Sequence, residues 1–259
     1  MSFSVGRPDF PDGCAIVFGA SGGLGRNVAG LLAERGSDLV VTYQERKEDA
    51  ETLACDLSVK GRRAIAVQCD VKSSDSVANV TAIALNEFRR VHTAISAQGS
   101  KFERGPLSEA SQDGLRAKLE IDAFGFLNIA QAMIPSMRQS GGGSLTAIVS
   151  PVLQRTLSGY GLGAAPKAAV VSMVKYLASD EGSYGIRVNA VAPGVINAGM
   201  AIALSEGPAK AALDAAVQAT PLRRTGEAAE VAELIVFLAS AKAGYVTGQI
   251  IMVDGGFSL

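Results

Sequence analysis

A short apolar run, residues 14–18 (CAIVF), passes straight into Gly19-Ala20-Ser21-Gly22-Gly23-Leu24-Gly25. That loop opens an amphipathic stretch over residues 23–35 (GLGRNVAGLLAER), with Leu24, Val28, Leu31 and Leu32 at helical spacing. Strand, glycine loop and helix in this order read as the first half of a βαβ unit. The G-x-x-x-G-x-G spacing matters because a tight turn there needs backbones to approach where a Cβ would intervene. The opening turn of the helix also presents unpaired N–H groups and a partial positive charge, which suits a pyrophosphate. A glycine-rich structural turn is the plainer alternative, and the strand–loop–helix setting favours the phosphate site over it.

The rest of the chain keeps the same rhythm. Apolar runs at 39–43 (LVVTY), 64–68 (AIAVQ), about 92–96, 145–149 (LTAIV), 186–191 (IRVNAV) and 249–253 (QIIMV) predict strands. Residues 47–60, 74–89, 112–139, 160–181 and 227–240 read as the helices between them. Continuous rather than alternating apolar strands belong to a parallel sheet covered on both faces. The expected fold class is therefore α/β: a single doubly wound parallel sheet of about seven strands, with helices on both faces. One domain is expected across residues 1–259, since no linker, repeat or low-complexity segment divides them. Residues 195–220 (VINAGMAIALSEGPAKAALDAAVQAT) break the rhythm. They are too long for an ordinary connection and predict a substrate lid or an inserted helical pair. Their wealth of Ala, Ile, Leu and Met suggests an apolar substrate body.

Composition removes several classes of function. The 24 basic and 25 acidic residues leave a net charge of −1, with no basic block. This argues against nucleic acid or an anionic membrane as the main partner. Tryptophan is absent and aromatics make up 5% of the chain, which disfavours a base- or sugar-stacking platform. Cys14, Cys55 and Cys69 are far apart, no CxxC occurs, and His92 is the single histidine. No Cys/His metal site is expected, and His92 reads as structural. The opening MSFSVGRPDFPDG lacks a secretory pattern, and no apolar stretch approaches about 18 residues. A reduced, cytoplasmic, soluble protein is expected.

The resemblance to a known family rests on FGASGGLG (18–25), CDV (69–71), Ile121-Asp122, the strand ending at Ser150, Lys167, NAVAPG (189–194) and VDGG (253–256). With these pieces the chain resembles the short-chain dehydrogenases/reductases from about residue 12 to 259. The resemblance implies a Rossmann-type nucleotide-binding fold, NAD or NADP as cofactor, a small-molecule substrate and a homotetramer. It places Gly19, Gly23 and Gly25 on the pyrophosphate, Ser21 and Leu24 among the cofactor-binding residues, and Asp70 and Val71 beside the adenine. Ala97, Gly99 and Lys167 also fall on the cofactor, and Pro193, Gly194 and Val195 border the nicotinamide.

Charge favours NADP(H) over NAD(H). An acidic residue at the end of the second strand usually holds the ribose 2′-hydroxyl and repels a 2′-phosphate. Tyr43 takes that place here, and Arg46 and Lys47 follow within reach of a phosphate, although Glu45 stands between. A solvated helix start is the alternative reading of Arg46 and Lys47.

The family's common catalytic set is Ser, Tyr-x-x-x-Lys and Asn. Ser150 and Lys167 match, but Gly163 stands four residues before Lys167 and Asp122 takes the asparagine position. The Asn-Asn-Ala-Gly stretch is replaced by Ser96-Ala97-Gln98-Gly99. Tyr160 instead lies seven before Lys167, in YGLGAAPK. This Tyr-x6-Lys spacing resembles the NADPH-dependent enoyl-acyl-carrier-protein reductase branch. Seven residues is close to two helical turns, so Tyr160, Gly163 and Lys167 share a face. Reduction of an enoyl thioester puts negative charge on an oxygen separated by two atoms from the carbon that takes hydride. A donor further from the nicotinamide fits that demand. Asp122 is a candidate to carry or relay a proton, with a solvated or salt-bridged acid as the alternative. Lys101 and Arg104 are candidates for a thioester carrier's phosphate, with a solvated loop as theirs. Three functions stay open: reduction of an activated C=C bond, carbonyl reduction or alcohol oxidation, and nucleotide binding without catalysis.

Overall fold

The computed structural model describes residues 8–59, 61–101, 103–199 and 210–259. Seven strands form one parallel sheet: β1 (Cys14–Phe18), β2 (Asp38–Tyr43), β3 (Ala64–Gln68), β4 (Val91–Ser96), β5 (Gly143–Ile148), β6 (Ile186–Pro193) and β7 (Ile250–Val253). Their spatial order is β3-β2-β1-β4-β5-β6-β7, and each neighbouring pair is parallel. Parallel strands need crossover connections, and helices supply them: α1 (Gly23–Glu34), α2 (Lys47–Val59), α3 (Ser74–Phe88), α4 (Gln112–Leu119), α5 (Gly125–Gln139), α6 (Gly161–Glu181), α7 (Lys210–Ala219) and α8 (Ala228–Ala239). The doubly wound α/β fold expected from the strand pattern is the fold observed. Among the described residues no helix is long and apolar enough to cross a membrane.

Alternate residues of the central strands feed two apolar layers. Ile16, Phe18, Ala94 and Leu145 meet Phe126, Met133 and Val174 on one side of the sheet. Val17, Leu39, Ile95 and Val191 meet Leu32, Val231 and Ile235 on the other. Burial on both faces explains why these strands read as unbroken apolar runs. The contacts are close-packed, so truncating one side chain such as Leu32, which has no exposed surface, would cost about 2–5 kcal/mol.

The winding reverses between β1 and β4, the place where an open α/β sheet forms its ligand crevice. Ala97 N donates to Phe18 O at 2.9 Å, keeping the two strand ends together at that point. The glycine loop, the 97–105 loop, Ser150 and Val195 all follow the carboxyl ends of strands, so the fold collects them at one edge.

One element differs from the sequence reading. The stretch 112–139 is not one α-helix: Glu120–Phe124 form a π-helical turn between α4 and α5. A π turn adds a residue to the helical repeat and turns the following side chains round the axis. Asp122 sits in that turn and is buried there. Within 195–220, the part 210–219 is helical as an inserted helix requires, while the 200–209 part of the expected lid lies outside the described residues. Val195–Asn197 is tied down: Ile196 bridges Gly226, Asn197 N donates to Gly226 O (2.8 Å) and Gly226 N donates to Val195 O (2.9 Å).

Candidate active site

The glycine loop is a cradle that side chains would fill. A Cβ on Gly25 would lie 2.4 Å from Gly19 O, and one on Gly19 would lie 2.8 Å from Gln98 N. One on Gly23 would meet Gly199 N at 2.7 Å and Ala198 Cβ at 3.1 Å, so the segment after β6 closes down on the loop. Gly19 also has φ +81° and donates its N–H to Thr42 Oγ1 at 3.2 Å. Gly22 caps α1 without a side-chain hydrogen bond, which leaves N–H groups of the first turn to an anion. Ser21 and Leu24 flank this turn and are half-buried. These features fit the pyrophosphate of a dinucleotide.

Tyr43 ends β2 half-buried, and its carbonyl accepts from Cys69 N at 2.8 Å. Arg46 and Lys47 begin α2 in the open, facing Asp49 at 3.9 Å and Glu51 at 3.6 Å. Pairs this exposed are weak, so neither cation is locked by its partner. Further along the edge, Asp70 accepts from Lys72 N (3.1 Å). Val71 O accepts from Asn128 Nδ2 (2.9 Å), and Val71 packs on Gly125. Pro193, Gly194 and Val195 close the other side; a Cβ on Gly194 would lie 2.7 Å from Asp254 Cα.

The structure joins Asp122 to Lys167. Lys167 Nζ lies 3.0 Å from Asp122 Oδ1 and donates to Ile148 O at 2.9 Å. An ammonium has three donors, so one remains for a ligand. Asp122 Oδ2 accepts from Ser100 Oγ at 2.8 Å, and Ser100 N reaches Oδ1 at 3.4 Å. Gly99 lies over both partners: a Cβ there would be 3.8 Å from Asp122 Oδ1 and 3.9 Å from Lys167 Nζ. Ala97 precedes it, half-buried. Asp122 is therefore not solvated but salt-bridged, one of the two forms of its alternative reading. Ser150 follows β5 with extended backbone, half-buried, and its side chain does not cap the short turn it begins.

Tyr160 is placed differently from the helical projection. It is the N-cap of α6, outside the helix proper. Its ring lies under Arg104, with the guanidinium carbon 5.6 Å from the ring centre. With Val152, Leu153, Gly161, Ala164 and Ala168 it lines an apolar groove of about 230 Å³. At 100° per residue, that groove face stands roughly 100° round α6 from Lys167. A Cβ on Gly163 would meet no heavy atom within 4 Å, so the place one turn before Lys167 is open space.

Sequence reading missed Ser100, which lies far from Asp122 in sequence and meets it only through the fold. It also missed Lys118, a lysine of α4 that is buried, donates to Lys101 O and pairs with Glu103 at 3.6 Å. Helical charge patterning marks such a lysine as solvated, and no local signal says otherwise. Lys101, whose carbonyl Lys118 holds, and Arg104 are both exposed. His92 is buried between Ser37 Oγ (3.3 Å) and Thr93 Oγ1 (3.0 Å), stacked on Phe10, at the opposite end of β4 from the crevice.

A doubly wound parallel sheet with a glycine cradle at its switch point defines a nucleotide-binding α/β protein. The comparisons carry this further. A family model described as Enoyl-(Acyl carrier protein) reductase matches residues 19–258. The 3-oxoacyl-(acyl-carrier-protein) reductase of Staphylococcus epidermidis is 33% identical over 93% of this chain and 97% of its own length. The cis-4-hydroxycyclohexanecarboxylate dehydrogenase of Sinomonas cyclohexanicum is 35% identical over 96% and 98%. A short-chain type dehydrogenase/reductase from Mycobacterium ulcerans superposes with a TM-score of 0.90 at 26% identity, covering 96% of this chain and 91% of that one. A blue fluorescent protein from a metagenomic library, solved with NADPH, superposes with a TM-score of 0.88 at 32% identity, covering 97% and 100%. The chain belongs to the short-chain dehydrogenase/reductase family, a family of NAD(P)H-dependent oxidoreductases.

Proposed function

We propose that the chain is an NADPH-dependent reductase of an activated C=C bond, with an enoyl thioester on CoA or a carrier protein as substrate. One observation carries this reading. The position one helical turn before Lys167 is Gly163, with open space around it, while Tyr160, at the N-cap of α6, lines an apolar groove. A carbonyl reductase needs its acid next to the carbon that receives hydride. An enoyl reductase needs it at the thioester oxygen, three bonds from the β-carbon that takes hydride.

NADPH bound in the crevice would supply the hydride. The glycine cradle would hold its pyrophosphate, Arg46 and Lys47 its 2′-phosphate, and the remaining donor of Lys167 the nicotinamide ribose. Tyr160 would donate to the enolate oxygen as charge develops there, and Ser150 would hold the thioester carbonyl. Asp122 would fix the ammonium of Lys167. The 195–220 segment would cover the acyl chain, and the whole would act as one domain.

Carbonyl reduction is the second reading, favoured by the printed activities of the S. epidermidis and S. cyclohexanicum relatives. One panel separates the two: oxidation of NADPH and of NADH with a crotonyl thioester, a 3-ketoacyl thioester and simple ketones. Turnover of the crotonyl thioester, lost in Tyr160→Phe, is the expected result. Turnover of the keto substrates alone replaces the first reading with the second. Tight NADPH binding with no turnover makes the chain a nucleotide-binding protein without catalysis.

A further inference from the structure

We propose that Ser100 is a positioning residue for the Asp122–Lys167 pair. The inference rests on the reading above in which Lys167 holds the nicotinamide ribose. The closest approach of Lys167 Nζ to the carboxylate is to Oδ1, at 3.0 Å. A carboxylate's last torsion is broad and roughly two-fold, so one contact does not fix which way the group faces. Ser100 fixes it from the opposite side, with Oγ on Oδ2 at 2.8 Å and its backbone N on Oδ1 at 3.4 Å.

Ser100 is itself held. Gly99 lets the loop backbone pass directly over the pair, within about 4 Å of both charged atoms for the Cβ it lacks. Beyond it, the buried amino group of Lys118 donates to Lys101 O and pairs with Glu103 at 3.6 Å. Further on, Gly105 N donates to Gly159 O at 3.0 Å, next to Tyr160. The hydroxyl is thus set in place before any ligand binds, as a group that orients a charged pair must be. Its effect reaches the ribose subsite through Asp122 and Lys167, with no contact of its own to the reacting atoms.

The test compares Ser100→Ala, Ser100→Thr, Asp122→Asn and the Ser100→Ala/Asp122→Asn double variant. Losing one hydrogen bond to a charged group is expected to lower kcat about tenfold, with KM for NADPH within about twofold. Ser100→Thr keeps the hydroxyl and should recover most of the loss. The double variant should match Asp122→Asn within about twofold, because the serine acts through the aspartate. Unchanged kcat in Ser100→Ala, or losses that multiply, would overturn the proposal. A crystal structure of unliganded Ser100→Ala reads the pair without turnover: separation of Asp122 Oδ1 from Lys167 Nζ beyond about 4 Å is expected, and an intact pair refutes the role. If the pair parts while the wild type reduces no thioester or ketone, the proposed activity fails and the role of Ser100 stands.

Discussion

Asp122 sets a carboxylate oxygen 3.0 Å from the ammonium of Lys167, and the two partners are unequally buried: their side chains are 1% and 16% exposed. That inequality decides which loss hurts more. Lys167→Met strands a fully enclosed carboxylate with Ser100 as its remaining side-chain donor, whereas Asp122→Asn leaves an ammonium that still reaches water. Breaking a buried pair costs several kcal/mol when the orphaned charge stays dry. We expect Lys167→Met to lose about 3 kcal/mol of unfolding free energy and Asp122→Asn about 1 kcal/mol. Urea unfolding of both variants checks the order. The reverse order would mean that the lysine is the drier partner.

Gly163 offers a direct test of the chemistry. A Cβ there meets no heavy atom within 4 Å, and replacing glycine inside a helix by tyrosine gains about 0.5 kcal/mol in propensity. Gly163→Tyr should therefore fold at least as stably as the wild type. It restores a phenol one turn before Lys167, and a positioned acid is worth about a hundredfold in rate. We expect a rise of that order in reduction of a 3-ketoacyl thioester, absent in Gly163→Phe. Equal gains in the two variants would show that packing, and not the hydroxyl, is responsible.

Arg46 and Lys47 stand more than half exposed with weak intrahelical partners. Replacing both by alanine should leave the melting temperature within about 2 °C, as surface substitutions usually do. KM for NADPH should rise about tenfold or more, because charge-assisted bonds to a phosphate are lost, while KM for NADH stays put. If both KM values rise together, the cations serve the loop and not the 2′-phosphate.

Much of this was legible in the residues because the signals are local. Cys14–Phe18, the glycine loop and Leu24, Val28, Leu31 and Leu32 carry their own strand, turn and helix cues, and β1 and α1 form as they predict. The π turn at Glu120–Phe124 was not legible: EIDAF contains no glycine or proline to mark a break. Ser100 was invisible for another reason. A serine after a glycine in a loop looks solvated until α4 and α5 bring Asp122 beneath it. Tyr160 shows the limit of helical projection, since seven residues define a shared face only if both ends lie within the helix, and Tyr160 is its N-cap.

Arg89 caps α3 with φ +66°, in the left-handed region, and donates its N–H to Leu85 O. Its side chain is exposed, so the strain has no visible compensation. Glycine takes this conformation without a Cβ penalty, which for an L-residue is about 1 kcal/mol. Arg89→Gly should raise the unfolding free energy by up to that amount, read as a higher urea midpoint at unchanged slope. A lower midpoint would show that the arginine stem contributes packing the structure does not display.

His92 ties stability to pH. Burial, reinforced by the positive charge of Arg90 and partly opposed by Asp38, pushes its imidazole down from 6.5 to about 4. The unfolded chain takes up the proton as pH falls through 6.5, while the folded chain resists until about 4. Between these values the unfolded state binds more protons, so stability is full above pH 6.5 and declines as pH falls. Each pH unit in that window is worth about 1.4 kcal/mol, giving a loss of about 2 kcal/mol by pH 5. His92→Gln keeps hydrogen-bonding capacity toward Ser37 and Thr93 but cannot titrate. Urea unfolding at about pH 7.5 and pH 5 should show the wild type losing about 2 kcal/mol more than the glutamine variant. Parallel losses in the two proteins would assign the pH dependence to other groups.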